Sequence, residues 1–360
     1  MVEIFRGGVS VNMEYNLKKI AEESGCSIST VSRVINGKGK ISEATKKRIM
    51  KIVKEHNYVP NQVARSLKNS KTNTIGIIVP DIRDYFYMFI KAADSIFFEA
   101  GYTILLADSD ENPEKEDAYI KLMYEKRVDG LILATVSNHH EALDVYFRSS
   151  VPVIFIDNLP NIDPAYEDCV ILDNSRASAM AIDTFVKEGH RKIAIISGNE
   201  RETTGMERIQ GYIRGMEGHG LTVNPKLMKM GNFQEAGGYH CMKELLQNRD
   251  NEPFTAVYVS SYKMTCGALR AIQEGGLKIP GDIALIGFDF TDNTGLISPT
   301  ITTITQPIEN IGNVVAKRLL ARIKIGEESG QGEQIKDIAQ KIILSPEILV
   351  GESSRLVRKE

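Results

Sequence analysis

From Thr74 onward the chain alternates short, nearly unbroken apolar runs with longer amphipathic stretches. The runs are TIGIIVP (74–80), YTILLAD (102–108), DGLILAT (129–135), VPVIFID (151–157), CVILD (169–173), KIAIISG (192–198), FTAVYVS (254–260) and IALIGFD (283–289). Val, Ile and Leu without polar alternation predict strands buried on both faces of parallel sheets. The stretches between them then supply the covering helices, giving doubly wound α/β units. There are too many such strands for one sheet with short connections. The expectation is two consecutive sheets with a cleft between them.

Residues 16–58 follow a different period and read as all helix. In NLKKIAEES (16–24), Asn16 is a helix cap, Leu17, Ile20 and Ala21 share one face, and Gly25 is the stop. Ser27 caps a second short helix whose apolar positions are Val31 and Val34. After the loop NGKGK, Ser42 caps a third, SEATKKRIMKIVKEHNY, with Ile49, Ile52, Val53 and His56 at helical spacing and Pro60 ending it. A bihelical turn needs a small residue inside its first helix, a left-handed turn residue, and apolar residues on the inner face of the second. Ala21, Gly25, Val31 and Val34 supply these, with Ile20 and Cys26 filling the interface. The outer face of the second helix is then Ile28, Ser29, Ser32 and Arg33, side chains that reach base edges when such a helix enters a major groove. The plain alternative is a helical hairpin used for packing. NQVARSLKNSKTNT (61–74) has only Val63, Ala64 and Leu67 as apolar residues. A helix so short is marginal alone, so this segment is a linker or orders on a partner.

Charge sharpens this division. Residues 1–71 hold 14 Lys and Arg against 6 Glu, a surplus of eight, whereas the whole chain carries −3 and the remainder therefore −11. A basic head on an acidic body is the distribution of a nucleic-acid-binding module joined to something else. The 360 residues suffice for two or three folding units, and 42% hydrophobic with 25% charged residues is ordinary for a soluble globular protein. Cys26, Cys169, Cys241 and Cys266 lack metal or redox spacing, and the histidines include only adjacent pairs such as His139-His140. No metal site is expected. No apolar run approaches a membrane span and the start lacks a signal-peptide layout, so a cytoplasmic location is expected. Residues 1–15 are expected to be a disordered extension, and Met13 is an alternative start.

The body offers no enzyme signature. Phosphate-loop, nucleophile-elbow and dinucleotide fingerprints are absent, and DIRDYF rather than a glycine loop follows the first strand. No nucleophile, base and oxyanion donor assemble, so neither catalysis nor a cofactor is expected. Polar and aromatic residues do cluster beyond strand ends: Asp81, Tyr85 and Phe86 after the first, Thr204 and Arg208 after IAIISGN, Asp289 after IALIGF. Open α/β sheets bind ligands there, with aromatics covering ring faces and Arg and Asp hydrogen-bonding polar groups. Each also has a structural reading: Phe86 as core, Arg208 as a surface partner of Glu207 or Asp183.

The stretches IAEESGCSISTVSRVING, YVPNQVARSL, IGIIVPDI, KRVDGLIL, LIGFDF and TITQP resemble the LacI–GalR family of bacterial transcription regulators, from Asn16 to about Ser353. The resemblance implies an α/β fold with an N-terminal helix-turn-helix headpiece of the lambda-repressor-like kind and two Rossmann-like subdomains of periplasmic-binding-protein type. The headpiece is expected over 16–60, a hinge helix and linker over 61–72, one subdomain over 73–173 and about 306–334, and the other over 174–305 and about 335–356. It implies a homodimer on a pseudo-palindromic operator, a small-molecule effector and a repressor function. By resemblance the base-reading positions are Ile28, Ser29 and Arg33. Thr30 and Ser32 are phosphate contacts, and Ser27 and Asn36 complete the headpiece set. In the hinge, Asn61, Ala64 and Arg65 line the minor groove or contact phosphate, and Leu67 is the wedge between base steps. Effector positions fall on Tyr85, Phe86, Thr204, Arg208, Phe233, Tyr262 and Asp289, with Asp157 and Asp173 near the cleft. One departure is SSYKMTCGAL, where Ser261 and Tyr262 replace a pair that often includes a carboxylate. A sugar, sugar phosphate, nucleobase or other polar metabolite is therefore open as effector, as is a protein coregulator. A solute-binding protein without a DNA role is the rival class.

Overall fold

The computed structural model describes residues 16–37, 39–58, 71–83, 85–138, 140–149, 151–291, 295, 298–328 and 339–357. The contacts divide the chain into two compact units, Met1–Thr72 and Asn73–Glu360. Residues 1–15, Pro60 and the hinge positions Asn61, Ala64, Arg65 and Leu67 lie outside the described residues.

The first unit contains α1 (Leu17–Ser24), α2 (Ile28–Ile35) and α3 (Glu43–Glu55). Each begins at a residue whose side chain takes an orphan backbone N–H: Asn16 from Lys18 and Lys19, Ser27 from Thr30, Ser42 from Thr45. Ile20, Ala21, Val31, Val34, Ile49 and Ile52 form its buried core, with Leu17, Cys26, Ile35, Ile41, Val53 and Tyr58 around them.

The second unit runs β1 (Thr74–Val79), α4 (Tyr85–Glu99), β2 (Thr103–Asp108), α5 (Pro113–Glu125), β3 (Gly130–Leu133), α6 (Asp144–Phe147), β4 (Val153–Ile156) and β5 (Cys169–Leu172). There follow α7 (Asn174–Lys187), β6 (Ile193–Ser197), α8 (Thr203–Gly218), β7 (Met228–Met230), α9 (Glu235–Gln247), β8 (Ala256–Val259), α10 (Tyr262–Glu274) and β9 (Ala284–Phe288). The chain closes with β10 (Thr302–Thr305), α11 (Ile308–Glu328), β11 (Lys341–Leu344) and β12 (Glu347–Leu349). One sheet has the order β11-β5-β4-β3-β1-β2 and is wholly parallel; the other, β12-β10-β9-β8-β6-β7, is parallel except for β12. Cover on both faces explains the near-continuous apolar strands of the sheet interiors; β2 departs from that expectation, being an edge strand with Thr103 and Leu106 exposed. Ile75, Ile77 and Val79 of β1 pack with α4 and α11, whereas Ile78 packs with α5 on the opposite side. The second sheet is covered likewise by α7 and α8 on one face and α9 and α10 on the other.

The chain passes between the sheets three times, at Asp173, at Gln306-Pro307 and at Ser345-Pro346. The third crossing differs from the boundary near residue 335 read from the sequence. Lys341–Leu344 pairs in parallel with Cys169–Leu172, so β11 is the edge of the first sheet and only β12 returns to the second. Among the described residues no helix is long and apolar enough to cross a membrane.

Close helix packing on the second sheet depends on small residues. A Cβ at Gly211 of α8 would stand 2.1 Å from the carbonyl oxygen of Ser175 on α7. Gly211→Ala is therefore expected to cost about 1–3 kcal/mol of unfolding free energy through overpacking, read as a lower urea midpoint. Helix propensity alone favours Ala by about 1 kcal/mol. A raised midpoint would show that the helices stand further apart.

Candidate functional sites: an exposed helix face and an inter-sheet cavity

In the first unit the turn between α1 and α2 is built on Gly25, at φ 62. Its N–H donates to Glu22 O (3.3 Å) and the next, Cys26 N–H, to Ala21 O (3.0 Å), the double closure of a left-handed helix stop. Buried Val31 and Val34 then fix which side of α2 faces outward. Ile28 is 49% exposed, Ser29 and Arg33 are exposed, and Thr30 and Ser32 are half-buried. The hydroxyls are largely committed to one another. Ser27 Oγ lies 2.8 Å from both Ser29 Oγ and Thr30 Oγ1, and accepts from Thr30 N–H at 3.2 Å. Asn36 donates through Nδ2 to the Ser32 carbonyl at 2.7 Å and to Ser32 Oγ at 3.3 Å. The outward edge is therefore Ile28, Ser29 and Arg33. Exposed Lys40, Lys46, Lys47, Arg48, Lys51 and Lys54 add positive charge elsewhere on this unit.

In the second unit a cavity of about 560 Å³ opens between the ends of the two sheets. Tyr85, Phe86, Thr204, Arg208, Phe233, Tyr262 and Asp289 all line it, as do Asp81 and Asp157. Asp173 does not: its carboxylate accepts from Arg176 N–H at 2.9 Å and caps α7. Phe86 has both roles considered for it, since it lines the cavity and packs in the core of the first sheet.

Arg208 is the centre of the site. It is 4% exposed, so it is no surface partner of Asp183, which pairs with His219 instead (2.6 Å). Its Nε donates to Asn174 Oδ1 (2.9 Å) and its Nη1 to Ser260 O (2.5 Å). The guanidinium carbon lies 3.7 Å from the Phe288 ring centroid and 5.8 Å from that of Phe233. Phe233 reaches its place over Gly198, where a Cβ would meet the ring at 2.0 Å. Five cavity residues hold left-handed backbone: Glu111 (φ 55), Asp157 (φ 62), Asn232 (φ 51), Phe233 (φ 56) and Asp289 (φ 53). Such strained conformations recur where a fold aims side chains at a ligand.

The carboxylates differ in their surroundings. Asp289 takes Gln306 N–H on Oδ1 (3.0 Å) and Gln306 Nε2 on Oδ2 (2.7 Å). Burial nevertheless pushes its pKa up to about 6, against the pull of Gln306 and Arg208. Glu202 is pushed up to about 7 by burial and by the neighbouring Asp157 charge, with Asn158 opposing. Burial also raises Asp157, opposed by Arg208. Asp81, by contrast, is held well below the usual carboxylate range, chiefly by the forked Arg83 guanidinium at 2.8 and 2.7 Å and also by Lys263.

Polar contacts tie the two subdomains together around the cavity. Lys263 Nζ, on α10, reaches Asp81 at 2.9 Å and Glu111 at 3.0 Å on the first subdomain. Gln234 also donates to Glu111. Asn158 Oδ1 accepts from Thr204 N–H (3.1 Å) and Thr204 Oγ1 (2.8 Å), and Asn138 donates to Arg201 O (2.7 Å). Sequence reasoning missed Glu111, Asn158, Glu202, Lys263, Phe288 and Gln306. Glu202 and Lys263 carried a signal, each lying just past a strand end beside residues already singled out; Phe288 and Gln306 lie inside the quoted stretches LIGFDF and TITQP, but nothing local marked them as cavity residues.

The comparisons with known proteins follow this division. Residues 16–61 match the model of bacterial regulatory proteins of the lacI family. Residues 72–343 match that of periplasmic binding proteins and the sugar binding domain of the LacI family. Catabolite control protein A of Priestia megaterium is 32% identical over 312 residues, covering 86% of this chain and 92% of that protein. A lac repressor dimer bound to operator and the anti-inducer ONPF is similar in fold, with a TM-score of 0.78 at 21% identity over 95% of this chain and 99% of that one. A complex of the transcriptional regulator CelR with cellobiose gives a TM-score of 0.68 at 26% identity, over 94% and 99%.

Proposed function

The chain belongs to the LacI family of bacterial regulatory proteins, and on that premise we propose that it is a DNA-binding transcription repressor, active as a homodimer on a pseudo-palindromic operator and controlled by a hydroxyl-rich metabolite in the cavity. The observation that carries this reading is the pairing, in one chain, of a locked α2 that leaves Ile28, Ser29 and Arg33 outward with a 560 Å³ cavity built around Arg208. Ile28, Ser29 and Arg33 read base edges; Ser27, Thr30, Ser32 and Asn36 orient the helix and meet the backbone. The hinge positions Asn61, Ala64, Arg65 and Leu67 serve the minor groove. Tyr85, Phe86, Thr204, Arg208, Phe233, Tyr262 and Asp289 hold the effector, as the cellobiose-bound CelR relative encourages. This reading assigns no catalytic step and places the protein in the cytoplasm.

The effector changes DNA affinity by its differential affinity for two closure angles of the body. The cross-cleft contacts of Lys263 and Asn158 belong to one of those states. The test is an electrophoretic shift of the full chain on its own promoter region, against a shuffled fragment of equal length, at two salt concentrations. A sequence-selective complex that weakens steeply with salt is expected. Equal affinity for both fragments would overturn the repressor reading.

A further inference from the structure

Five carboxylates and three cationic side chains line the cavity. At its mouth the charges are matched, because Arg83 and Lys263 occupy Asp81, and Lys263 also Glu111. Deeper in they are not. Asp157, Glu202 and Asp289 form no ion pair among the described residues, and the one cation beside them is Arg208. Two of its nitrogens are already committed to Asn174 and Ser260.

The donors are as unequal as the charges. Asp289 receives two hydrogen bonds from Gln306, and Glu202 receives one, on Oε2 from Asn158 Nδ2 at 3.1 Å. Asp157 receives none among the described residues, although an ionised carboxylate has room for about four. Asn158 links the last two: its backbone follows Asp157, and its side chain holds Glu202. The cavity thus presents an excess of acceptors and of negative charge to whatever enters it. A phosphate monoester would bring like charge to that excess. A neutral polyol would supply donors and leave the charge uncompensated. An ammonium group supplies three donors and the charge together. The rest of the lining suits a ring: Phe233 and Tyr262 are apolar faces, and Arg208 Nη2 is a donor left for a hydroxyl oxygen.

Resting on the reading of this cavity as the effector site, we propose that the effector is an amine-bearing polyhydroxylated ring of the amino-sugar class. Its ammonium sits at Asp157 and Glu202 and its hydroxyls bridge Asp289 and Arg208. The match to a sugar binding domain supports the ring, and the unanswered Asp157 carboxylate supports the amine. Partial burial pushes the pKa of all three carboxyls up, so a cation held beside them would favour their ionised forms.

The test is calorimetry and thermal shift of the full chain with D-glucosamine, D-galactosamine and D-mannosamine. Each is set beside its neutral hexose, its N-acetyl form and the hexosamine 6-phosphate. At least one free amine is expected to bind about tenfold or more tightly than its three counterparts. Glu202→Gln, which keeps the side-chain shape, is expected to shrink that preference severalfold, with circular dichroism confirming the fold. A neutral hexose or a phosphate that binds as tightly as the amine, and is lost in Arg208→Ala, would overturn the amine proposal and leave the cavity reading standing. Binding that Arg208→Ala does not alter would place the ligand elsewhere and overturn both. A panel with no binder also overturns the proposal.

Discussion

Arg208→Ala is expected to abolish the effector response, weakening effector binding by roughly 30- to 3,000-fold, which corresponds to the 2–5 kcal/mol typical of truncating a buried, hydrogen-bonded charge. The magnitude follows from how the residue is held. Nε and Nη1 are anchored to Asn174 and Ser260, and the plane rests on Phe288, so the remaining nitrogen is aimed before any ligand arrives. Arg208→Lys keeps the charge but neither the fork nor the stacking plane, so it should lose most of the same affinity. The truncation also leaves Asn174 Oδ1 and the Ser260 carbonyl without that donor, at about 1–3 kcal/mol for each buried group. A lower melting temperature of the body is therefore part of the expected result. Operator binding without effector should persist, because the first unit closes its own core around Ile20, Val31 and Ile49. Calorimetry with the effector and a gel shift on the operator separate these outcomes. A normal titration by the Ala variant would rule Arg208 out as an effector contact.

Legibility along the chain tracked how local the cause of each feature is. The starts of α1, α2 and α3 were readable because Asn16, Ser27 and Ser42 act within their own first turns. The inner strands were readable because burial on both faces demands continuous Val and Ile. The strands β7, β10, β11 and β12 were not marked. Met228–Met230 and Glu347–Leu349 are three residues long, and Lys341–Leu344 alternates exposed and half-buried positions. Their pairing is decided by the sheet they join, not by their own composition. For β11 this moved the last crossing from about residue 335 to Ser345.

The cavity shows the same division. Tyr85, Arg208 and Asp289 were found by their places just past strand ends and Phe233 through resemblance to a family, and the structure brings them together at one cavity. Asn158, Glu202, Lys263 and Gln306 come from four separate segments, and nothing local joins them. Phe288 reads as one more apolar strand residue, and its second role exists only because Arg208 lies over its ring. The charge imbalance that points to an amine is likewise a property of the assembled site. Overall net charge carries no trace of it.

Arg33→Ala is the substitution expected to alter sequence reading most: it should cost about 1–3 kcal/mol per half-site and relax selectivity at one base pair of each half-site. The α2 helix offers three outward side chains, and they are chemically unequal. Ser29 is short and already in contact with Ser27 Oγ, so its hydroxyl is partly spent. Ile28 can contribute only an apolar surface, suited to a thymine methyl. Arg33 alone presents a fork that matches the N7 and O6 edge of guanine. It stands exposed in the last turn of α2, beside the loop at Gly39. The discriminating measurement is affinity for a series of single-base operator variants at one fixed salt concentration. If Arg33 reads a base, wild type discriminates at one position of each half-site and the Ala variant is indifferent there, with selectivity elsewhere unchanged. A loss of equal size on every operator would make Arg33 a backbone contact and leave Ile28 and Ser29 to account for specificity.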